Sequence, residues 1–211
     1  MSRNCNILIP RFLFVITFFT NVCAAQSYEE NIDKCTKAYQ GSLAQGKKDK
    51  DQGYMKAMQD LRECIIGQTF PPFAATSLEG KTYTAEDLKG KVVLINLWFI
   101  ACAPCVAEMP ILNELNTEFK ERGFILLAFA TDDKTSLKNF LRKRNIGYEV
   151  FEQSKALIHD RFKMTFGYPT NIFLNKEGKI VEFRNGGPMD EEGLKRTKEE
   201  FRSIIEKELV K

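Results

Sequence analysis

One histidine, one tryptophan and a near balance of 31 basic against 28 acidic side chains are what this 211-residue sequence is short of. A lone His159 cannot supply the several imidazoles of a His-rich or two-Cys, two-His zinc centre. A net charge of +3 with no basic stripe gives no electrostatic case for nucleic acid, whose binding depends mostly on neutralising phosphates. Thirteen glycines and seven prolines are too few for a low-complexity chain. No apolar run approaches the roughly 20 residues that a membrane-spanning helix needs. What is present is 44% hydrophobic and 28% charged positions, the composition of a folded domain with an appendage, together with six cysteines.

The first segment reads as an address. Arg3 and Arg11 precede a run from Phe12 to Phe19 that is apolar apart from Thr17, and Val22-Cys23-Ala24-Ala25 then supplies a small-residue cleavage site before Gln26. Residues 1–25 are therefore expected to be a signal peptide cut after Ala25, or alternatively after Ala24. An uncleaved anchor fits less well because the run is short, and lipid modification of Cys23 fits less well after Thr20-Asn21-Val22. Export, with a periplasmic destination favoured over a secreted or anchored one, places the chain where disulfides persist.

Cys5 and Cys23 leave with that segment, and Cys35, Cys64, Cys102 and Cys105 remain. Residues 26–66 read as a helical hairpin: Tyr28, Ile32, Cys35 and Tyr39 recur at helical spacing, as do Tyr54, Met58, Leu61, Cys64 and Ile65. Between them, residues 46–51 carry mixed charges and read as a solvated connection. Two short helices bury little by themselves, and each places one cysteine on its apolar face. A structural Cys35–Cys64 disulfide is expected to close the hairpin, with a second redox pair as the alternative. Cys102-Ala103-Pro104-Cys105 is a C-x-x-C of a different kind, and with only one short-spaced pair no metal site is expected.

From residue 67 the pattern changes to short apolar runs between amphipathic stretches. Val92 to Trp98 and Phe124 to Ala130 are nearly continuous apolar runs, the mark of strands covered on both faces. Shorter strands are expected at 73–76, 81–84 and 149–151, with a hairpin of 170–174 and 179–184. Helices are expected at 106–121, 135–144 and 154–162, and a last one should turn Leu194, Phe201, Ile204, Ile205 and Leu209 inward. This order implies an α/β domain over 67–211 with a mixed central sheet.

Cys102 then falls just past the carboxyl end of a central strand and at the first turn of a helix, where open α/β sheets place their chemistry. The helix N-terminus favours a thiolate. A thiol of ordinary pKa near 8.5 is about 3% ionised at pH 7, whereas one lowered to about 7 is half ionised. Cys102 is the expected nucleophile, and the more shielded Cys105 the residue that resolves a mixed disulfide.

These features resemble the thioredoxin fold and, within it, the exported TlpA/ResA-like thiol-disulfide oxidoreductases. The resemblance covers about residues 67–211 and rests on the C-A-P-C motif, on Pro110 five residues later, on Glu108 three residues after Cys105, and on Tyr168-Pro169-Thr170 leading into an apolar strand. It implies that Pro169 is a cis-proline facing the disulfide, that Tyr168 and Thr170 flank the substrate, and that Glu108 takes or returns the Cys105 proton. Asn96 stands where many thioredoxins bury an acid, so a relay must use Glu108 or water. One departure is Ala101, where the family commonly has Trp before the first cysteine, and less aromatic cover implies a more exposed sulfur. The dipeptide Ala103-Pro104 lacks the histidine of strong oxidants, which favours the reductase direction. The implied partners are disulfide-containing client proteins and a membrane thiol-electron donor, with no cofactor beyond the cysteine pair. A peroxide-reducing relative is the first alternative, although Pro-x-x-x-Thr-x-x-Cys is absent before Cys102. A non-catalytic metallochaperone or assembly module is the second. His159, among Leu157, Ile158 and Phe162, is expected to pack rather than to ligate.

Overall fold

A computed structural model describes the backbone of residues 16–45 and 50–211, with side chains described for 28–44 and 53–211. Most of the expected leader, residues 1–15, lies outside the described residues, as do residues 46–49 of the charged connection. Helix α1 (Ile16–Gln45) and helix α2 (Lys50–Ile65) form the hairpin. After it come β1 (Ala74–Thr76) and β2 (Thr82–Thr84), a small antiparallel pair. The main domain continues with β3 (Val92–Trp98), α3 (Ala103–Phe119), β4 (Phe124–Ala130), α4 (Lys134–Leu141) and β5 (Glu149–Phe151). It closes with β6 (Thr170–Leu174), β7 (Ile180–Asn185) and α5 (Glu191–Leu209).

The five-stranded sheet has the order β5-β4-β3-β6-β7. Strands β3, β4 and β5 are parallel, and β6 and β7 run antiparallel to them, so the sheet is mixed as expected. All seven residues of β3 are buried, which its unbroken Val-Val-Leu-Ile-Asn-Leu-Trp sequence allows because both faces are covered. On one face Leu94, Leu112, Leu115, Phe173, Phe201 and Ile205 form a core between the sheet and helices α3 and α5. On the other, Ile95, Leu97, Phe129 and Phe162 pack with Tyr28, Ile32, Leu61 and Ile65 of the hairpin. The hairpin is thus part of the second core layer, a helical lid on a thioredoxin-like α/β fold.

Three further contacts seat the hairpin. Tyr28 Oη donates to the Phe162 carbonyl at 2.7 Å, Tyr39 meets the Phe166 ring edge-on at 5.4 Å, and Arg62 forms a two-point ion pair with Glu182 of β7. Burial alone would push the Glu182 carboxyl up, but Arg62, the Phe183 N–H and Arg184 hold it below the ordinary range. Cys35 and Cys64 are joined in a disulfide with Cα atoms 5.6 Å apart. Cys35 is fully buried, whereas Cys64 is exposed at the rim of the helix and not on its apolar face. Tyr54 is likewise exposed at 43%, its hydroxyl reaching out towards Asn185 instead of inward.

Several boundaries differ from the periodicity. The active-site helix starts at Ala103, three residues before the first strongly apolar position, because Cys102 caps it and Pro104 suits its first turn. Helix α4 stops at Leu141. The expected helix over 154–162 narrows to a wide π-turn, Leu157–Arg161, in which the Phe162 N–H reaches the Leu157 carbonyl. In α5 only Phe201 and Ile205 of the expected inward set are fully buried, with Leu194, Ile204 and Leu209 half-buried, since the helix lies on the edge of its core.

Candidate active site

Strand β3 delivers the chain to the cysteines through the loop 99–101. The Ile100 N–H is held by Asp132 Oδ2 at 2.9 Å, and the Cys102 N–H by the Phe99 carbonyl at 3.1 Å. Cys102 then takes the N-cap position of α3 in an extended conformation, and its Sγ accepts from the Cys105 N–H at 3.3 Å. The two cysteines are bonded to each other, with Cα atoms 5.2 Å apart. When that bond is reduced, a sulfur so placed receives the first-turn N–H groups and the positive end of the helix, the setting that lowers a thiol's pKa.

Cys102 is only 5% exposed, so the loss of an aromatic at Ala101 does not leave it open. Phe99, Ile100 and Tyr168 supply the cover by packing against the same cluster. Tyr168 lies edge-on to Phe99 with ring centroids 5.3 Å apart, and its hydroxyl is 3.4 Å from His159 Nε2. His159 thereby gains a neighbour in the site while remaining half-buried. The Tyr168-Pro169 peptide is cis. Asn185 braces the loop that carries it, donating to Thr170 Oγ1 at 2.8 Å, while Thr170 Oγ1 donates to the Gly167 carbonyl at 2.7 Å. Thr170 is 1% exposed, so its side chain stiffens this loop and does not face outward.

Glu108 is one helical turn beyond Cys105 on the same face of α3, and only 2% exposed. Burial pushes its carboxyl up to about 8, against the downward pull of one hydrogen bond from Asn171 Nδ2 to Oε1 at 2.6 Å. Among the described residues its Oε2 has no hydrogen-bond partner. Gly187, in the segment after β7, passes beside that oxygen: a Cβ there would lie 3.8 Å from Oε2 and 3.4 Å from Pro169 Cγ. Tyr148 also faces Glu108, and its phenol is pushed up by burial and by the nearby carboxyl.

Cys102, Cys105, Glu108, Tyr168 and Pro169 therefore come together at the carboxyl end of β3. The Cys35–Cys64 pair belongs to the hairpin instead. Asn171, Asn185, Gly187 and Tyr148 were not singled out by the sequence. Of these only Asn171 carried a signal, a polar residue inside an apolar strand. Among the described residues no group of three or more His, Cys, Asp or Glu could hold a metal ion.

Comparison with known proteins adds the chemistry. Residues 66–183 match the AhpC/TSA family. The thiol-disulfide oxidoreductase ResA of Bacillus cereus is 35% identical over 130 residues, covering 61% of this chain and 75% of that protein. The thioredoxin domain of a thiol-disulfide oxidoreductase from Bacteroides vulgatus is 28% identical, covers 64% of this chain and 96% of its own, and superimposes with a TM-score of 0.54. A thiol:disulfide interchange protein of the thioredoxin family from Chlorobium tepidum, 23% identical and covering 68% of this chain and 97% of its own, shares the fold with a TM-score of 0.55. The chain belongs to the AhpC/TSA family, on the ResA/TlpA-like thiol-disulfide oxidoreductase branch of the thioredoxin superfamily.

Proposed function

We propose that the chain reduces disulfides in exported client proteins by exchange at Cys102 and Cys105. The observation that carries this is Cys102 capping α3 beside a buried, proton-retentive Glu108. In the reduced protein the Cys102 thiolate attacks one client sulfur, the client S–S bond breaks, and the other sulfur leaves as a thiolate. Cys105 then gives its proton to the Glu108 carboxylate and attacks Cys102, releasing the second client thiolate. Two electrons pass from the cysteine pair to the client, and a membrane thiol-electron donor returns them. No cofactor enters the cycle. Pro169, with no N–H and a fixed ring, keeps the face beside the disulfide free for an extended client backbone, with Tyr168 at its flank and Thr170 holding the loop.

The leader-like pattern over 1–25 and the two disulfides support a periplasmic address. The remaining chain divides into the stapled hairpin of 26–66 and the catalytic domain of 67–211. The AhpC/TSA match keeps peroxide reduction in view, but Ile95 and Phe99 stand where a peroxide-reducing site would have its Pro and Thr. Trapping tests the assignment. Cys105→Ser should hold clients on Cys102 as mixed disulfides that dithiothreitol releases, and an equal yield from Cys102→Ser/Cys105→Ser would contradict it.

A further inference from the structure

Two asparagines interrupt the apolar centre of the sheet. Asn96 of β3 and Asn171 of β6 are directly opposite each other in the antiparallel pairing, and both are nearly sealed from solvent, at 4% and 1% exposure. Their side chains lie on the face that holds Leu94, Trp98 and Phe173, the face packed against α3. Burying two amides at the sheet centre costs stability that a pair of branched aliphatic residues would not. The hydrogen bonds form a directed chain. Asn96 Nδ2 donates to Asn171 Oδ1 at 2.9 Å, and Asn171 Nδ2 donates to Glu108 Oε1 at 2.6 Å. With Asn171 Oδ1 accepting from Asn96, it is the Asn171 amide nitrogen that faces Glu108. Oε2 is the carboxyl oxygen with no hydrogen-bond partner among the described residues, buried and beside the Cβ-free Gly187.

We infer that Asn171, oriented by Asn96, is a positioning residue for disulfide exchange: it grips Oε1 of Glu108 and thereby assigns Oε2 to proton transfer with Cys105. This rests on Glu108 being the proton partner. The amide favours the carboxylate form against burial, so it keeps a usable fraction of Glu108 basic near neutral pH. Tyr148, whose phenol feels the Glu108 charge, and Cys105, on the same helix as Glu108, are the other titratable groups near this point among the described residues.

The test separates the two chemical steps with Ellman's reagent. Attack by Cys102 releases one thionitrobenzoate and forms a mixed disulfide. Cys105 then loses its proton, attacks Cys102 and releases the second thionitrobenzoate in a unimolecular phase. Asn171→Ala should leave the first phase within about twofold. It should move the pH midpoint of the second phase up by about one unit and slow it about tenfold at pH 7, the size of one lost charge-assisted hydrogen bond. Asn96→Val, further from Glu108, should shift the midpoint the same way by less, and carries the test if Asn171→Ala does not fold. In a Glu108→Gln background neither substitution should change the second phase. An unmoved midpoint in both variants, or an equal shift with Glu108→Gln in place, overturns the role of Asn171 alone. A Glu108→Gln protein with the wild-type second-phase profile overturns the role of Glu108 and this inference together.

Discussion

Glu108 owes its proton affinity to its surroundings and not to its type: burial to 2% exposure, with one amide donor among the described residues, pushes its carboxyl up to about 8 from an ordinary 4.5. The consequence for stability has a definite sign. Between pH 4.5 and 8 the folded protein binds a proton that the unfolded chain has released, so stability should fall as pH rises through that window and level off above it. Glu108→Gln removes this slope, which urea unfolding at a series of pH values would read; an unchanged slope would contradict the burial of a proton at this position. The residues of this site differ in how far they can be read from the sequence. Cys102, Cys105 and Glu108 stand at short fixed offsets from one another and Pro169 directly precedes an apolar strand, and both signals are visible in one dimension. Asn171 acts across strand pairing, and its partner Glu108 lies 63 positions away on a helix. The cover over Cys102 is similar, since Tyr168 replaces a missing neighbour of the cysteine from a distant loop.

At the scale of elements, continuous apolar runs were the most informative part of the sequence. Strands β3 and β4 fall where their unbroken apolar runs place them, because a strand buried on both faces has little freedom to be anything else, and the shorter β5 and β6 also lie where expected. The stretch over 154–162 has helical periodicity but narrows to a π-turn, with Ile158 and Phe162 both fully buried. The hairpin was legible as two helices, but its seat on Phe162, Phe166 and Glu182 was not, because those contacts are made at long range. The Cys35–Cys64 bond closes a span of 29 positions and restricts the unfolded chain. Replacing both cysteines with alanine should lower stability by about 3 kcal/mol on the chain-entropy account. Denaturant midpoints would read the loss, and thionitrobenzoate release at Cys102 should stay at the wild-type rate. A loss of exchange activity in the folded double variant would instead make this pair part of the redox machinery.

For the molecule as a whole, the two disulfides among the described residues lie in unlike surroundings, one in the hairpin and one at the carboxyl end of β3, and under the proposed function the first staples and the second exchanges. The direction of exchange follows from how strongly the helix terminus and its neighbours stabilise the reduced pair. With Ala103-Pro104 between the cysteines and no imidazole there, equilibration against glutathione should place the pair near about −270 mV, in the range of reducing thioredoxins. A value near about −120 mV would make the protein an oxidant. A near-neutral net charge is in keeping with clients of varied surface, since no strong field selects among them. The central claim, disulfide exchange driven by Cys102, is tested most directly by insulin reduction with dithiothreitol. The wild-type protein should bring forward the onset of precipitation by several-fold, and Cys102→Ala should match the uncatalysed control. Equal curves for wild type and Cys102→Ala would contradict it.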